Sequence, residues 1–354
     1  MGGYGRKTLR PKPQLFIENI EKMKRIAING LGRIGRLTLR NLLNDNKVEV
    51  VAVNDLTDTK TIAHLFKYDT AHGGYNDTVE AADNAIIIGG ESIAYSSIRN
   101  PEELPWGDLK VDIVLECTGV FRTEEAARKH ITAGAKRVVI SAPAKGGEVP
   151  FVVLGVNDEI VTPETELISN ASCTTNCLAP VVQIVNENWG ITHGFVTTTH
   201  GYTADQRLQD SPHSDLRRAR AAAQNIIPTS TGAATAVGVV LPEMKGKLHA
   251  SALRVPVITG SLIELTCIVN KPVTVEEINA KFKEAAANKY NGILEYNDDQ
   301  IVSSDIIGNK NSSIFDAPLT NVNENLIKVT SWYDNEAGYS ARMADLAVKM
   351  AEML

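Results

Sequence analysis

The sequence predicts an α/β protein of two domains, the first built on a parallel sheet and the second an α+β unit with a mostly antiparallel sheet. Three observations carry this. Its 354 residues correspond to about two domains at roughly 100–200 residues each. Short apolar, β-branched runs alternate with amphipathic helical segments through the first half. After about residue 190, long β-rich segments with polar alternation take over.

In chain order, "RIAI" (25–28) is a strand that ends in glycines. Arg33 to Asn44 places Ile34, Leu37 and Leu42 on one helical face. "VEVVAV" (48–53), "DIVLEC" (112–117), "RVVIS" (137–141) and "FVVLGV" (151–156) continue the strand series. Thr123 followed by Glu124 and Glu125 is an N-cap and acidic first turn. Such strands, with helices between them, imply a parallel sheet covered on both faces. In the second half, "GFVTTTHGYT", "ASALRVPVITGSLIELTCIVN" and "LIKVTSWYDN" are the strand segments. Thr274 and Glu277 form a capping box that opens a helix to about Ala287. The last helix carries Ala337, Ala341, Ala344, Val348 and Ala351 as a narrow stripe of mostly small side chains, which demands close packing.

Composition excludes several classes. Charged residues are 22% and hydrophobic residues 43%, ordinary for a globular protein. No stretch of about 18 apolar residues suggests a membrane span, and no apolar h-region suggests a secretory signal. Residues 1–22 hold five cations against Glu18 and Glu21, a net of +3, so the remaining chain carries −9. This segment, with Pro11 and Pro13 and a second methionine, Met23, just after it, is expected to be a disordered extension rather than a targeting or anion-binding arm. The four cysteines, at 117, 173, 177 and 267, lack a zinc spacing, so no metal site is expected and reduced thiols in the cytoplasm are.

Gly30-Leu-Gly32-Arg-Ile-Gly35 is a G-x-G-x-x-G run between a strand and a helix, and Asp55 closes the next strand 20 residues after Gly35. That context is the fingerprint of a Rossmann-like dinucleotide-binding domain. Glycines let the backbone approach a pyrophosphate at the positive end of the helix. The Asp55 carboxylate accepts ribose hydroxyls and repels a 2′-phosphate, which favours NAD over NADP.

"SNASCTTNCLAP" (169–180) reads as a loop entering a helix, with Cys173 at its N-terminus. A helix terminus favours the thiolate, so Cys173 is a candidate nucleophile. Cys117, Cys177 and Cys267 read as small buried hydrophobes. His200, which ends "FVTTT", is a candidate partner for Cys173, though His64, His72, His130, His193, His213 and His249 remain open on spacing alone.

From Met23 to Leu354, "INGLGRIGR", "ASCTTNC", "HSDLRRARAAA", "NIIPTSTGAA", "LRVPV" and "WYDNEAGYS" occur in an order and spacing that resemble the phosphorylating glyceraldehyde-3-phosphate dehydrogenases of glycolysis. The resemblance implies an NAD-binding domain over 23–171, completed by 337–354, and an α+β catalytic domain over 172–336. It implies Cys173 as nucleophile and His200 as its base. Thr203 and Arg254 would hold the substrate's C3 phosphate. Ser172, Thr174, Thr231 and Gly232 would hold the attacking inorganic phosphate. Arg33 and Ile34 would give backbone contacts to the pyrophosphate. Arg99 and Thr118 would lie along the cofactor, and Asn335 would bind the nicotinamide carboxamide. Leu56 and Pro212 match the family's NAD-preferring pattern. Gly201 and Cys117 depart from the usual alanine and serine. The resemblance places Arg217, Arg218 and Arg220 in a loop at a homotetramer interface, paired with acids across it, rather than in a nucleic-acid patch. Erythrose-4-phosphate dehydrogenase shares these motifs, and a non-enzymatic NAD-binding interaction protein could share the fold. An intact Cys173–His200 set speaks against the second, and the dinucleotide fingerprint speaks against a cysteine hydrolase.

Overall fold

The computed structural model describes residues 23–354. The extension at 1–22, expected to be disordered, lies outside the described residues. The first sheet contains β1 (Lys24–Asn29), β2 (Val48–Asn54), β3 (Val79–Ala82), β4 (Ala85–Ile88), β5 (Glu91–Ser96), β6 (Ile113–Glu116), β7 (Arg137–Ile140) and β8 (Leu167–Ser169). The second contains β9 (Ile191–Gly201), β10 (Ile227–Thr229), β11 (Leu248–Val255), β12 (Ser261–Val269), β13 (Leu294–Asn297), β14 (Ser313–Asp316), β15 (Asn321–Asn323) and β16 (Leu326–Tyr333). The α-helices among the described residues are α1 (Arg33–Leu42), α2 (Thr59–Lys67), α3 (Glu124–Thr132), α4 (Cys173–Trp189), α5 (Ala233–Val240), α6 (Val275–Ala287) and α7 (Ala337–Glu352).

The first sheet has the order β3-β4-β5-β2-β1-β6-β7-β8. From β5 to β8 every pairing is parallel. Two apolar cores cover its faces, one with α1, α2 and α7, the other with α3 and the fully buried Trp106. This is the doubly wound arrangement expected from the alternating pattern. Two details differ from the sequence reading. The edge over 79–96 is an antiparallel meander, because tight turns at Asp83–Asn84 and Gly89–Gly90 reverse the chain. The run 151–156 is not a strand. Phe151 makes a single bridge to Ser169, and then Asn157 satisfies the backbone in place of a ladder, accepting from Val153 N at 2.8 Å and donating to Phe151 O at 2.9 Å. The last parallel position is filled by β8.

The second sheet has the order β10-β11-β9-β12-β16-β14-β13, with β15 on β16. Only β9 with β11 and β13 with β14 are parallel, so the sheet is mostly antiparallel as expected. Helix α4 packs under it with Cys177 and Leu178 fully buried. The capping box on Thr274 forms and α6 ends at Ala287 as expected. Phe282 of α6 stacks on Phe315 at 3.9 Å between ring centroids, both wholly buried. Phe282→Ala is therefore expected to cost about 3–5 kcal/mol of stability. Equilibrium urea unfolding checks this, and a loss below about 1 kcal/mol would mean the aromatic stack is not a core determinant.

Helix α7 returns to the first sheet. Its alanines at 337, 341, 344 and 351 are buried, with Val348 half-buried. Ser340 Oγ reaches Ile34 O on α1, and Arg137 of β7 donates to Met350 O at 2.6 Å. No helix among the described residues is long and apolar enough to cross a membrane.

Candidate active site

The turn from β1 into α1 shows why glycines stand there. Gly30 has φ +95°, and a Cβ on it would lie 2.7 Å from Thr118 N. A Cβ on Gly35 would lie 2.0 Å from Gly30 O, so Gly35 allows helix and turn to pack and does not itself face the cleft. Gly32 is the N-cap of α1, makes no side-chain cap, and has no atom within 4 Å of its Cβ position. The helix terminus is thus open to a pyrophosphate, and the residues present fit the dinucleotide the motif implies.

Asp55 lies beside this opening. Its carboxylate accepts from Leu31 N at 2.7 Å and from Thr57 N at 2.9 Å, which fixes its direction. Gly30, Gly32, Asp55, Arg99 and Thr118 line one cavity of ≈ 340 Å³. Cys117 also lines it and is half-buried, so it is not the fully buried hydrophobe expected; Cys177 and Cys267 are. Below the cavity runs a buried polar chain that the sequence did not reveal. Trp106 Nε1 donates to His130 Nδ1 at 3.0 Å, so the proton on Nε2 points to Glu116, also at 3.0 Å. Glu116 in turn accepts from Asn29 Nδ2 at 2.6 Å and Thr118 N at 2.8 Å.

The second cavity joins the two sheets. Arg33, Ile34, Cys173, His200, Thr203 and Asn335 are among its ≈ 350 Å³ lining. The Arg33 guanidinium is spent on Glu336 at 2.6 Å and Asp69 at 2.5 Å, leaving its backbone for the cleft. Asn335 is 3% exposed, and its Oδ1 accepts from Ser261 Oγ at 2.8 Å and Gly260 N at 3.2 Å. Its amide Nδ2 is therefore the end free to donate.

Ser172 caps α4 by accepting from Thr175 N at 3.1 Å, which sets Cys173 as the first helical residue. His200 comes from the end of β9, whose register places it beside Arg254 of β11. Cys173 Sγ and His200 Nε2 are 3.5 Å apart. His200 Nδ1 lies 2.6 Å from Gly201 O and 3.2 Å from Arg254 Nη1; the shorter contact, to an oxygen that can only accept, places the proton on Nδ1 and leaves the Nε2 lone pair facing the thiol. Arg254 Nη1 donates to Gly201 O at 3.2 Å and Thr203 Oγ1 at 2.9 Å. Burial, with the Arg254 charge, holds the His200 imidazole down to about 3. Burial also pushes the Cys173 thiol up, opposed by the Arg254 charge and by the Thr174 side chain and amide. The amides at the start of α4 thus act on the thiol in the direction the sequence suggested, against the opposing effect of burial. His200 therefore resides as the neutral imidazole, with its Nε2 lone pair unprotonated beside the thiol.

The third cavity, ≈ 690 Å³, gathers Ser172, Cys173, Thr174, Thr231, Gly232 and Arg254. Two of its neighbours escaped the sequence. Tyr333 bonds Thr174 Oγ1 at 2.9 Å and sets its ring edge-on to His200 at 5.9 Å. Arg218 lines the cavity while pairing with Asp205 at 2.5 Å. No spacing rule points to either, since both act across strands. Within the chain Arg220 pairs with Asp210 at 2.7 Å and Arg218 also with Asp215 at 3.6 Å.

A family model described as the glyceraldehyde 3-phosphate dehydrogenase NAD binding domain matches residues 24–124, and the corresponding C-terminal domain matches 172–335. The chain belongs to the glyceraldehyde-3-phosphate dehydrogenase family. Relatives of that name include glyceraldehyde-3-phosphate dehydrogenase 1 of Bacillus cereus, 53% identical over 93% of this chain and 98% of its own. The Mycobacterium avium protein is 53% identical over 93% and 99%. The Geobacillus stearothermophilus protein is 51% identical over 92% and 98%. The chain is an NAD-dependent dehydrogenase of this family, and its cofactor is NAD.

Proposed function

We propose that the chain converts D-glyceraldehyde 3-phosphate, NAD and inorganic phosphate to 1,3-bisphosphoglycerate and NADH through a thioester on Cys173. The observation that carries this is the 3.5 Å meeting of Cys173 and His200 beside a cavity rich in hydroxyls and guanidinium groups. Residues 23–171 with 337–354 form the cofactor domain, and 172–336 the catalytic domain.

Bound NAD supplies the hydride acceptor. The Arg33 and Ile34 backbone would hold its pyrophosphate, Asp55 its adenosine ribose, Arg99 and Thr118 its adenosine side, and Asn335 its carboxamide. Cys173 Sγ adds to the aldehyde carbon while His200 Nε2 takes the thiol proton and passes it to the carbonyl oxygen. His200 then removes that proton from the thiohemiacetal hydroxyl as the carbon is oxidised, leaving a thioester and an imidazolium. Phosphate held by Ser172, Thr174, Thr231 and Gly232 attacks the acyl carbon. The C–S bond breaks, and His200 returns its proton to the departing sulfur. Arg254 and Thr203, already joined at 2.9 Å, grip the C3 phosphate throughout.

Leu208, Leu216 and Ile226 expose large apolar side chains around the arginine loop, 85%, 81% and 67% exposed. This supports a homotetramer in which the loop, with Pro212, is covered by a neighbour. Four free cysteines support a cytoplasmic setting. With Asp55 and Leu56 at the ribose, kcat/KM for NADP is expected to be at least about tenfold below that for NAD, roughly 1.4 kcal/mol. Comparable values would remove Asp55 from cofactor choice. The phosphate-side hydroxyls favour phosphorolysis over the hydrolysis of an erythrose-4-phosphate dehydrogenase. NADH formation from glyceraldehyde 3-phosphate and from erythrose 4-phosphate, each with and without phosphate, decides between them. Strong phosphate dependence with the triose is expected; phosphate-independent turnover of the tetrose would select the other reading.

A further inference from the structure

We propose that Arg122 binds the attacking phosphate, reaching the catalytic cavity from the cofactor-binding side. This rests on the reaction proposed above and adds to it a residue from the other sheet. Arg122 stands between β6 and α3, one residue before the Thr123 cap. Its main chain is pinned, Arg122 N to Val120 O at 3.1 Å and Lys145 N to Arg122 O at 2.8 Å. Arg122 lines the same ≈ 690 Å³ cavity as Cys173, Thr231 and Gly232.

The charge balance of that cavity singles it out. The reaction brings two phosphate groups together there, each carrying close to two negative charges near neutral pH. Three arginines line the space, Arg122, Arg218 and Arg254. Arg218 is already neutralised by Asp205 at 2.5 Å, with Asp215 at 3.6 Å. Arg254 is committed to Thr203 and Gly201 O, the side assigned to the C3 phosphate. The Arg122 side chain makes no hydrogen bond and no ion pair with any described residue. A second observation points the same way. Thr198, 1% exposed and two residues before His200 on β9, lines this cavity with a buried hydroxyl that has no partner. An oxyanion satisfies both an unspent cation and an unspent hydroxyl, and charge-assisted bonds are the strong ones in a confined cavity.

The test separates phosphate capture from the earlier chemistry. With NAD and triose but no phosphate, both the parent and Arg122→Gln should release a stoichiometric burst of NADH at similar rates. In steady state, R122Q should raise the KM for inorganic phosphate about fivefold or more, with the KM values for triose and NAD within about twofold, and Arg122→Lys should restore part of the loss. A phosphate KM unchanged in R122Q, with the burst intact, would overturn the role of Arg122 alone. A parallel rise in all three KM values would overturn it too, as a general structural effect. A parent that gives no burst would overturn the dehydrogenase reading itself.

Discussion

Cys173→Ser is expected to lower kcat by about four orders of magnitude or more, the scale seen when a nucleophile is removed from a cooperating set. A serine hydroxyl is far weaker than sulfur as a nucleophile near neutral pH, and an ester would give up its acyl group to phosphate poorly. Cys173 sits at the start of α4 and lines no part of the adenosine cavity, so NAD affinity by calorimetry should change by less than about threefold. Activity within about tenfold of the parent would remove the covalent step from the account.

His200→Asn follows in size. General-base assistance is typically worth about 10²–10⁴-fold, and kcat should fall in that range. Asparagine can replace the bond to Gly201 O but offers no proton acceptor to sulfur. Alkylation of Cys173 by iodoacetamide at pH 7 should slow in parallel, a readout that does not need substrate. The sign of the pH dependence follows from burial. The His200 imidazole is depressed to about 3, so it remains able to accept a proton well below the ordinary histidine value of about 6.5. The acid limb of kcat/KM should therefore lie below 6.5, and a limb above it would contradict the depressed imidazole. Unchanged alkylation in the variant would show that His200 does not act on the thiol.

What could be read from the sequence was local chemistry. Gly30 and Gly35 mark a turn whose backbone cannot carry side chains, Gly32 leaves the helix terminus open, and Ser172 before Cys173 marks a capped helix start. Both signals lie within a few residues, and the structure places both as expected. Asp55 was legible because a strand end fixes its distance from the turn. The choice among histidines was not legible from spacing, and the fold makes it. His72 is held by Asp334 at 2.8 Å, His130 by Trp106 and Glu116, and His249 lies against Phe195. Among the described residues His200 is the one histidine within bonding distance of Cys173. The failures share one cause. The meander over 79–96 and the loop at 151–156 depend on which backbone groups find partners, and Asn157 supplies them from outside the run. Arg218 and Arg122 reach the cavity, and Tyr333 reaches Thr174 and His200 beside it, across strands and sheets, where no periodicity points.

The reaction turns on an acyl group carried on Cys173 and released by phosphate. The direct measurement mixes the protein with NAD and D-glyceraldehyde 3-phosphate in the absence of phosphate, quenches in acid, and maps the modified peptide by mass spectrometry. One NADH and one acyl group per subunit are expected, the acyl group on Cys173, with phosphate discharging it and restoring turnover. Sustained turnover without phosphate, or an acyl group on any other residue, would contradict it.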